Sequence, residues 1–311
     1  MRFPQKYEPE LFRVLTDYNT EAVLELPMQL VEVTGIGLPA MDVVTSRTPT
    51  QHGDTVLGQY AQPRVFSVGL ILKNLWGPVD DRTLWGARQQ LLAVANPALG
   101  TLTFEVAMTN GDVYQLKNVT LDSGFELGLD TSGNPRYQNI VLRFVAHDPI
   151  WWGKEYETTY NPTDNNSSVL PVWLYVDPVE TYGTWFVEPE IDLTGPLYKP
   201  LLIIRKMNPV TLGLETVSSL WLDTTINAGE HVYITTAFGN RQAVDDNGDN
   251  VTLVDGSLFS TFQLSPSPIR LLHEEQDEPS WYQNFFELYS SVLVTADARI
   301  TFRYSDRFTA I

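Results

Sequence analysis

Apolar and polar positions alternate in short runs along most of this chain, and the runs are broken by Gly, Pro, Asn and Asp. A two-residue period of this kind marks strands with one buried face. Phe66, Val68, Leu70 and Leu72 alternate with Val65, Ser67, Gly69 and Ile71, directly after Pro63-Arg64. Leu102, Phe104, Val106 and Met108 alternate with Thr101, Thr103, Glu105 and Ala107. Asn110-Gly111 follows at once and predicts a type I′ hairpin turn, in which both central residues take positive φ. Val113 to Leu121 is then the returning strand, and Ile140, Leu142 and Phe144 mark another. One segment has a helical period instead. Between Pro78 and Asn96, Leu84, Ala87, Leu91, Val94 and Ala95 share a face; Asp80 and Asp81 stand near the start and Pro97 ends it. Negative charge at that end suits the helix dipole. One amphipathic helix among strands predicts a split barrel or β-sandwich with the helix packed on one opening.

Asp148-Pro149 interrupts the pattern, and Trp151-Trp152 follow. We place a domain boundary there, with residues 1–152 as the first domain and 153–311 as the second. The second begins with an irregular linking segment over about 153–190, which includes the polar run Asn161-Pro162-Thr163-Asp164-Asn165-Asn166-Ser167-Ser168. Short strands are predicted at Leu170–Val176, Thr184–Val187, Pro200–Arg205, Leu220–Asp223, Glu230–Thr235, Ser257–Leu264 and Arg299–Tyr304. Many short strands separated by turn residues predict a β-sandwich or jelly roll. His273-Glu274-Glu275-Gln276-Asp277-Glu278 reads as a solvated acidic loop.

A chain of 311 residues suits two domains and needs no cross-link to hold a core. It has no Cys, which removes disulfides, thiolate metal sites and a cysteine nucleophile together. No signal-type apolar run opens the chain, and no window is apolar enough to span a bilayer. A soluble protein assembled in a cytoplasm is expected. The formal charge is −18, from 38 acidic and 20 basic side chains. Such a surface repels DNA phosphate and anionic lipid, so specific nucleic-acid binding is not expected.

Four patterns invite chemistry. Gly35-Ile36-Gly37-Leu38-Pro39-Ala40 matches GxGxxA, but no helical period follows to aim an N-terminus at a pyrophosphate, so a loop is predicted. Asp245, Asp246 and Asp249 surround Asn247-Gly248, yet an EF-hand alignment puts Ala243 and Val254 where carboxylates are required, which leaves a hairpin tip. Glu188, Glu190 and Asp192 fall at same-face strand spacing, a separation that would suit paired glycosidase carboxylates, although Pro189 interrupts it. His52, His147, His231 and His273 lack ligand spacing. No catalytic residue, cofactor site or metal site is assigned. Aromatics remain: Trp173, Tyr175 and Trp185 on predicted strands could stack on sugar rings if exposed, or fill the core if buried.

The order of Gln51-His52-Gly53-Asp54 in a polar loop, the Pro63-Arg64 strand start, the helix stopping at Asn96-Pro97-Ala98-Leu99-Gly100, and His147-Asp148-Pro149-Ile150-Trp151-Trp152 resembles the siphophage distal tail protein family. In the second half, Gly195–Arg205, Ile226-Asn227-Ala228-Gly229-Glu230, Val244-Asp245-Asp246-Asn247-Gly248 and Ala298-Arg299-Ile300-Thr301-Phe302-Arg303-Tyr304 look like that family's galectin-like domain. The stretch Glu155–Glu190 departs from the family pattern.

The resemblance implies a mainly β chain: a ring-forming belt domain, then a galectin-like β-sandwich. It implies a non-enzymatic virion protein of the phage tail tip or baseplate, six copies of which ring a channel for DNA. The partners it implies are the tail tube protein, the tail-tip or hub protein, the tape measure protein, and receptor-binding proteins or host glycans. Six protomers would carry 6 × (−18) = −108. Under this reading Gln51, His52, Gly53, Asp54 and Arg64 lie at or near a ring or tube contact, where Asp54 and Arg64 could pair across or within protomers; the alternative is that His52 and Asp54 only close a local turn. Pro149, Trp151 and Trp152 anchor the interdomain junction, and Trp173, Tyr175 and Trp185 are the candidate glycan contacts. The alternative is a carbohydrate-binding module that contacts host surface glycans.

Overall fold

The computed structural model describes residues 9–16, 19–27, 31–47, 52, 54–73, 96, 100–122, 137–160, 172–179, 183–207, 213–237, 240–256, 262–264, 284–290 and 297–311. Every regular element among them is a strand, so the mainly β fold read from the two-residue period holds. The helix expected between Pro78 and Asn96 lies outside the described residues, as do the polar run 161–168 and the acidic run 273–278. The chain divides into two compact units, Met1–Gly153 with Phe308–Ile311, and Lys154–Arg307.

The first unit contains β1 (Pro9–Thr16), β2 (Asn19–Pro27), β3 (Val31–Thr34), β4 (Met41–Ser46), β5 (Thr55–Ala61), β6 (Arg64–Lys73), β7 (Leu102–Met108), β8 (Val113–Leu121), β9 (Tyr137–Ala146) and the start of β10 (Trp151–Tyr160). Its antiparallel sheet runs β2-β1-β7-β8-β9-β6-β3, and β10 joins β8 where Trp152 opposes Gln115. The alternation seen in sequence sets the core. Phe66, Val68 and Leu70 of β6, Leu102, Phe104 and Val106 of β7, and Ile140, Leu142 and Phe144 of β9 are all buried. Phe12, Phe66, Phe104 and Phe144 meet ring to ring at centroid distances of 4.5–5.6 Å, the range in which edge-on and offset aromatic pairs attract.

The turn between β7 and β8 departs from the expected type I′ form. Only Gly111 takes positive φ, at 90°. The loop closes through Gly111 N–H to the Met108 carbonyl at 3.0 Å and Met108 N–H to the Asp112 carbonyl at 2.8 Å. The Asn110 side chain accepts from the Asp112 N–H at 3.1 Å, so the loop has the longer form that needs one left-handed residue instead of two.

The second unit holds the rest of β10 with β11 (Val172–Val179), β12 (Glu190–Thr194), β13 (Leu197–Tyr198), β14 (Leu201–Met207), β15 (Leu214–Leu222), β16 (Thr225–Ile226), β17 (His231–Thr235), β18 (Gln242–Asp245), β19 (Leu253–Gly256), β20 (Asn284–Ser290) and most of β21 (Arg299–Phe308). One sheet runs β18-β17-β12-β21-β10 and another β11-β20-β14-β15-β19, with β13 paired to β16. Ile191, Leu193, Val232, Ile234, Ile300 and Phe302 from the first sheet pack with Leu202, Ile204, Leu220, Leu222, Phe286 and Leu288 from the second. Two antiparallel sheets sharing one apolar core make a β-sandwich. The predicted strand Thr184–Val187 is instead a bend ending in the isolated bridge Val187↔Leu264. Most other predicted strands are present with extended ends, while residues 257–261 lie outside the described ones.

Candidate functional site

Three places in the two units carry the residues of interest, and the first is a hairpin with no core of its own. Strands β4 and β5 pair only with each other among the described residues, from Met41↔Ala61 to Ser46↔Thr55, with a register shift between Val44 and Thr45. A half-buried strand shows one apolar face to a core. Here Met41, Val43, Val44, Val56, Leu57 and Tyr60 are all exposed, Val56 at 56% and Leu57 at 66%. Gln62 Nε2 donates to Asp42 Oδ1 at 2.5 Å and ties the hairpin base. The Tyr60 hydroxyl, bonded to Asp42 and facing its charge, has its pKa raised. Residues 47–54 lie between the two strands in sequence; His52 and Asp54 are exposed, and Gln51 and Gly53 lie outside the described residues.

The second place is Arg64. The two-residue period puts it on the same face as Phe66 and Val68, and it is 2% exposed. Its Nε donates to the Pro149 carbonyl at 2.9 Å and its Nη2 to the Thr309 carbonyl at 2.8 Å. Nη1 donates to the carbonyls of Gly37 and, at 3.5 Å, Gly35. Burial lowers the Arg64 pKa to about 10, so the group stays charged at neutral pH, held by carbonyl dipoles. The expected Asp54–Arg64 pair is therefore absent within the chain, because every Arg64 donor group faces inward and Asp54 is exposed. The GxGxxA segment has its explanation here. Gly35 has φ +86°, and a Cβ there would sit 2.7 Å from the Val65 carbonyl oxygen. Its glycines let the loop reach β6 and offer carbonyls to Arg64, with no pyrophosphate cradle involved.

Trp151 belongs to this neighbourhood. It is buried in the first unit's core with its ring centroid 6.0 Å from Arg64 Cζ. Trp152 lies nearer solvent, donating from Nε1 to Asp148 Oδ2 at 2.9 Å, with Lys117 Nζ 4.1 Å from its ring. Pro149 supplies the carbonyl taken by Arg64.

The third place is the outer face of β11-β20-β14-β15-β19. Leu202, Ile204, Leu220, Leu222, Phe286 and Leu288 point into the sandwich, so their neighbours along each strand point out. The register aligns Trp173 with Tyr289, Tyr289 with Leu201, Leu201 with Trp221, and Trp221 with Asp255. The next row aligns Tyr175 with Glu287, Glu287 with Ile203, and Ile203 with Ser219. Trp221 is 40% exposed, whereas Glu287 is 6% exposed. Arg205 Nε lies 3.0 Å from Glu287 Oε2, close enough for an ion pair though the N–H is not aimed for a hydrogen bond. The Tyr289 hydroxyl donates to the same Oε2 at 2.8 Å. Burial first, then the Glu287 bond and charge, push the Tyr289 pKa up to about 12. Trp185 does not join this row. It sits in the bend before Val187, where its N–H donates to the Arg307 carbonyl at 3.0 Å.

Glu188, Asp192 and Asp245 each have local partners. Glu188 precedes β12 and does not share its register; it takes Arg241 Nη2 at 3.3 Å and Gln263 Nε2 at 3.1 Å, with Arg307 Nη1 at 3.9 Å. Asp192 instead pairs with His231 Nδ1 at 2.9 Å. Asp245 Oδ1 accepts the N–H groups of Asn247 and Asp249, both at 2.9 Å, and these bonds hold its carboxylate below the usual range. That is a hairpin tip closed by its own aspartate.

The sequence missed the β4–β5 arm as an element, although the β-branched residues of Met41–Thr50 and the run Thr55-Val56-Leu57 were its signal. It also missed Arg64 as an interior residue. Its place in the alternation with Phe66 was visible, but the partners come from segments far apart in sequence.

Among the described residues the two units are built of strands, a first-unit sheet with an apolar arm and a second-unit sandwich. A solved structure shares this fold: the Dit protein of phage SPP1, described as a paradigm of the hub adsorption apparatus in phages infecting Gram-positive hosts, superposes with a TM-score of 0.53 at 13% identity. That likeness covers 96% of this chain and 99% of the SPP1 chain. A chain of the phage p2 baseplate in its activated conformation is also similar, at 9% identity and a TM-score of 0.44, over 97% of this chain and 99% of that one. No sequence-family profile matches the chain, and no curated protein does.

Proposed function

We propose that this chain is a structural protein of a phage tail tip or baseplate, whose copies close into a ring between the tail tube and the hub. The observation that carries the reading is the β4–β5 arm, which exposes apolar side chains and pairs with no third strand among the described residues. An arm of this kind gains stability only against another surface, and a neighbouring copy in a ring supplies one. The fold shared with the SPP1 hub protein supports the same reading. In it the first unit is the belt, the second is a galectin-like support for receptor-binding proteins, and the loop 51–54 at the arm's tip touches the next copy or the tube. Arg64 acts behind that contact by holding the unit together. Pro149, Trp151 and Trp152 stand where the chain passes between units and fix their orientation. The role is structural rather than catalytic, and the site of action is the virion.

Negative-stain electron microscopy of the purified protein at micromolar concentration tests this. Six-fold rings with a central hole and a mass of 6 × 35.1 = 210.6 kDa are expected. Monomers of 35.1 kDa at every concentration, both alone and with tail tube rings added, would refute the ring.

A further inference from the structure

We propose that the outer face of the β11-β20-β14-β15-β19 sheet binds a carbohydrate chain, with Trp221 and Tyr289 as stacking platforms and Glu287–Arg205 as the polar clamp beside them. The inference does not rest on ring formation.

The outward face of a sandwich is ordinarily polar. This one instead aligns Tyr289, Leu201 and Trp221 in a single cross-strand row. Tyr289 and Trp221 stand two strands apart, about 10 Å at the spacing of hydrogen-bonded strands. That distance suits sugar rings taken from one extended chain rather than a single monosaccharide. A pyranose has an apolar C–H face, which an aromatic ring covers, and hydroxyls at its rim, which need fixed donors and acceptors.

The second row supplies those groups. Glu287 is held by Arg205 and by the Tyr289 hydroxyl, so its carboxylate cannot turn away. Among the described residues Arg205 has no partner other than Glu287 and Tyr289, which leaves guanidinium N–H groups for a ligand oxygen. A purely apolar protein surface would match the aromatic row and leave those donors unsatisfied. A hydroxyl-rich ligand satisfies both. The charged pair is already partly buried, so ligand binding adds little further desolvation. Strand neighbours place these groups on rigid elements, which reduces the ordering needed on binding.

The test uses the full chain on a printed array of bacterial cell-wall and capsular polysaccharides, followed by calorimetric titration of the strongest binder. Trp221→Ala and Tyr289→Ala are compared with the parent, with thermal melting and electron microscopy on the same samples. We expect binding that Trp221→Ala weakens by about tenfold or more, while melting and ring assembly stay unchanged. If Tyr289→Ala fails to fold, Trp221→Ala decides alone, since that side chain is on the surface. No binding across the array overturns the proposal, as does binding that both substitutions leave intact. Loss of ring assembly in Trp221→Ala without any glycan bound assigns the face to a protein contact and also overturns it.

Discussion

Arg64 has exchanged water for four backbone carbonyls, and that exchange makes it hard to replace. Arg64→Met should leave the carbonyls of Gly35, Gly37, Pro149 and Thr309 without their donor. The expected loss is on the order of 3 kcal/mol, measured by urea denaturation. Arg64→Lys should recover only part of it, because one ammonium cannot span the same fork of directions. Trp151→Ala should lower stability by about 3–5 kcal/mol through the cavity it opens, and Trp152→Ala by clearly less. If the two tryptophans also hold the units in a fixed orientation, their double replacement will broaden the small-angle scattering profile; an unchanged profile would discard that role. At Tyr289 the folded-state pKa is about 12, above the ordinary value of 10.0. The unfolded phenol therefore ionises first. The stabilisation is fully present below pH 10 and is lost as pH rises from about 10 to 12. Melting temperature should fall more steeply over that range in the parent than in Tyr289→Phe. Parallel slopes would mean that Tyr289 is not the group responsible.

At the scale of elements, the proposed ring contact at the β4–β5 arm would separate folding from assembly. Its apolar side chains bury little within the chain, so Val56→Ser with Leu57→Asn should change melting stability by no more than about 0.5 kcal/mol. The same double substitution should abolish rings in electron micrographs. Rings that persist would show that the arm is not the contact. The hairpin β7–β8 and the loop at Gly35 teach a different point about elements. Asn110-Gly111 announced a turn, and a turn is there, but the Asp112 N–H bond to Asn110 selected the loop with a single left-handed residue. Gly35 announced a close approach, and the approach is to β6 rather than to a ligand.

For the whole molecule the dominant quantity is charge. A net −18 per chain would give the proposed ring a strong negative field, which would disfavour adhesion of duplex DNA to its channel. No retention of duplex DNA is expected in a gel-shift assay at physiological salt. Retention that weakens steeply with added salt would reveal a basic surface and contradict this reading.

Much of the fold was legible because a strand's period is local. The alternation of Phe66, Val68 and Leu70, or of Ile300, Phe302 and Tyr304, needs no knowledge of the partner strand to say which side is buried. Composition likewise removed disulfide and thiolate chemistry, since the chain has no Cys, and set a strongly acidic balance of 38 acidic to 20 basic side chains. The sites were not legible in the same way. Arg64 draws its acceptors from positions 35, 37, 149 and 309, and the aromatic row is assembled from positions 289, 201 and 221. Glu188 looked like one member of a carboxylate series until Arg241 and Gln263 were brought to it from another part of the chain. Periodicity fixes the face on which a side chain lies. Only strand order and register decide which distant side chains share that face, because antiparallel pairing joins segments whose separation along the chain no local pattern records.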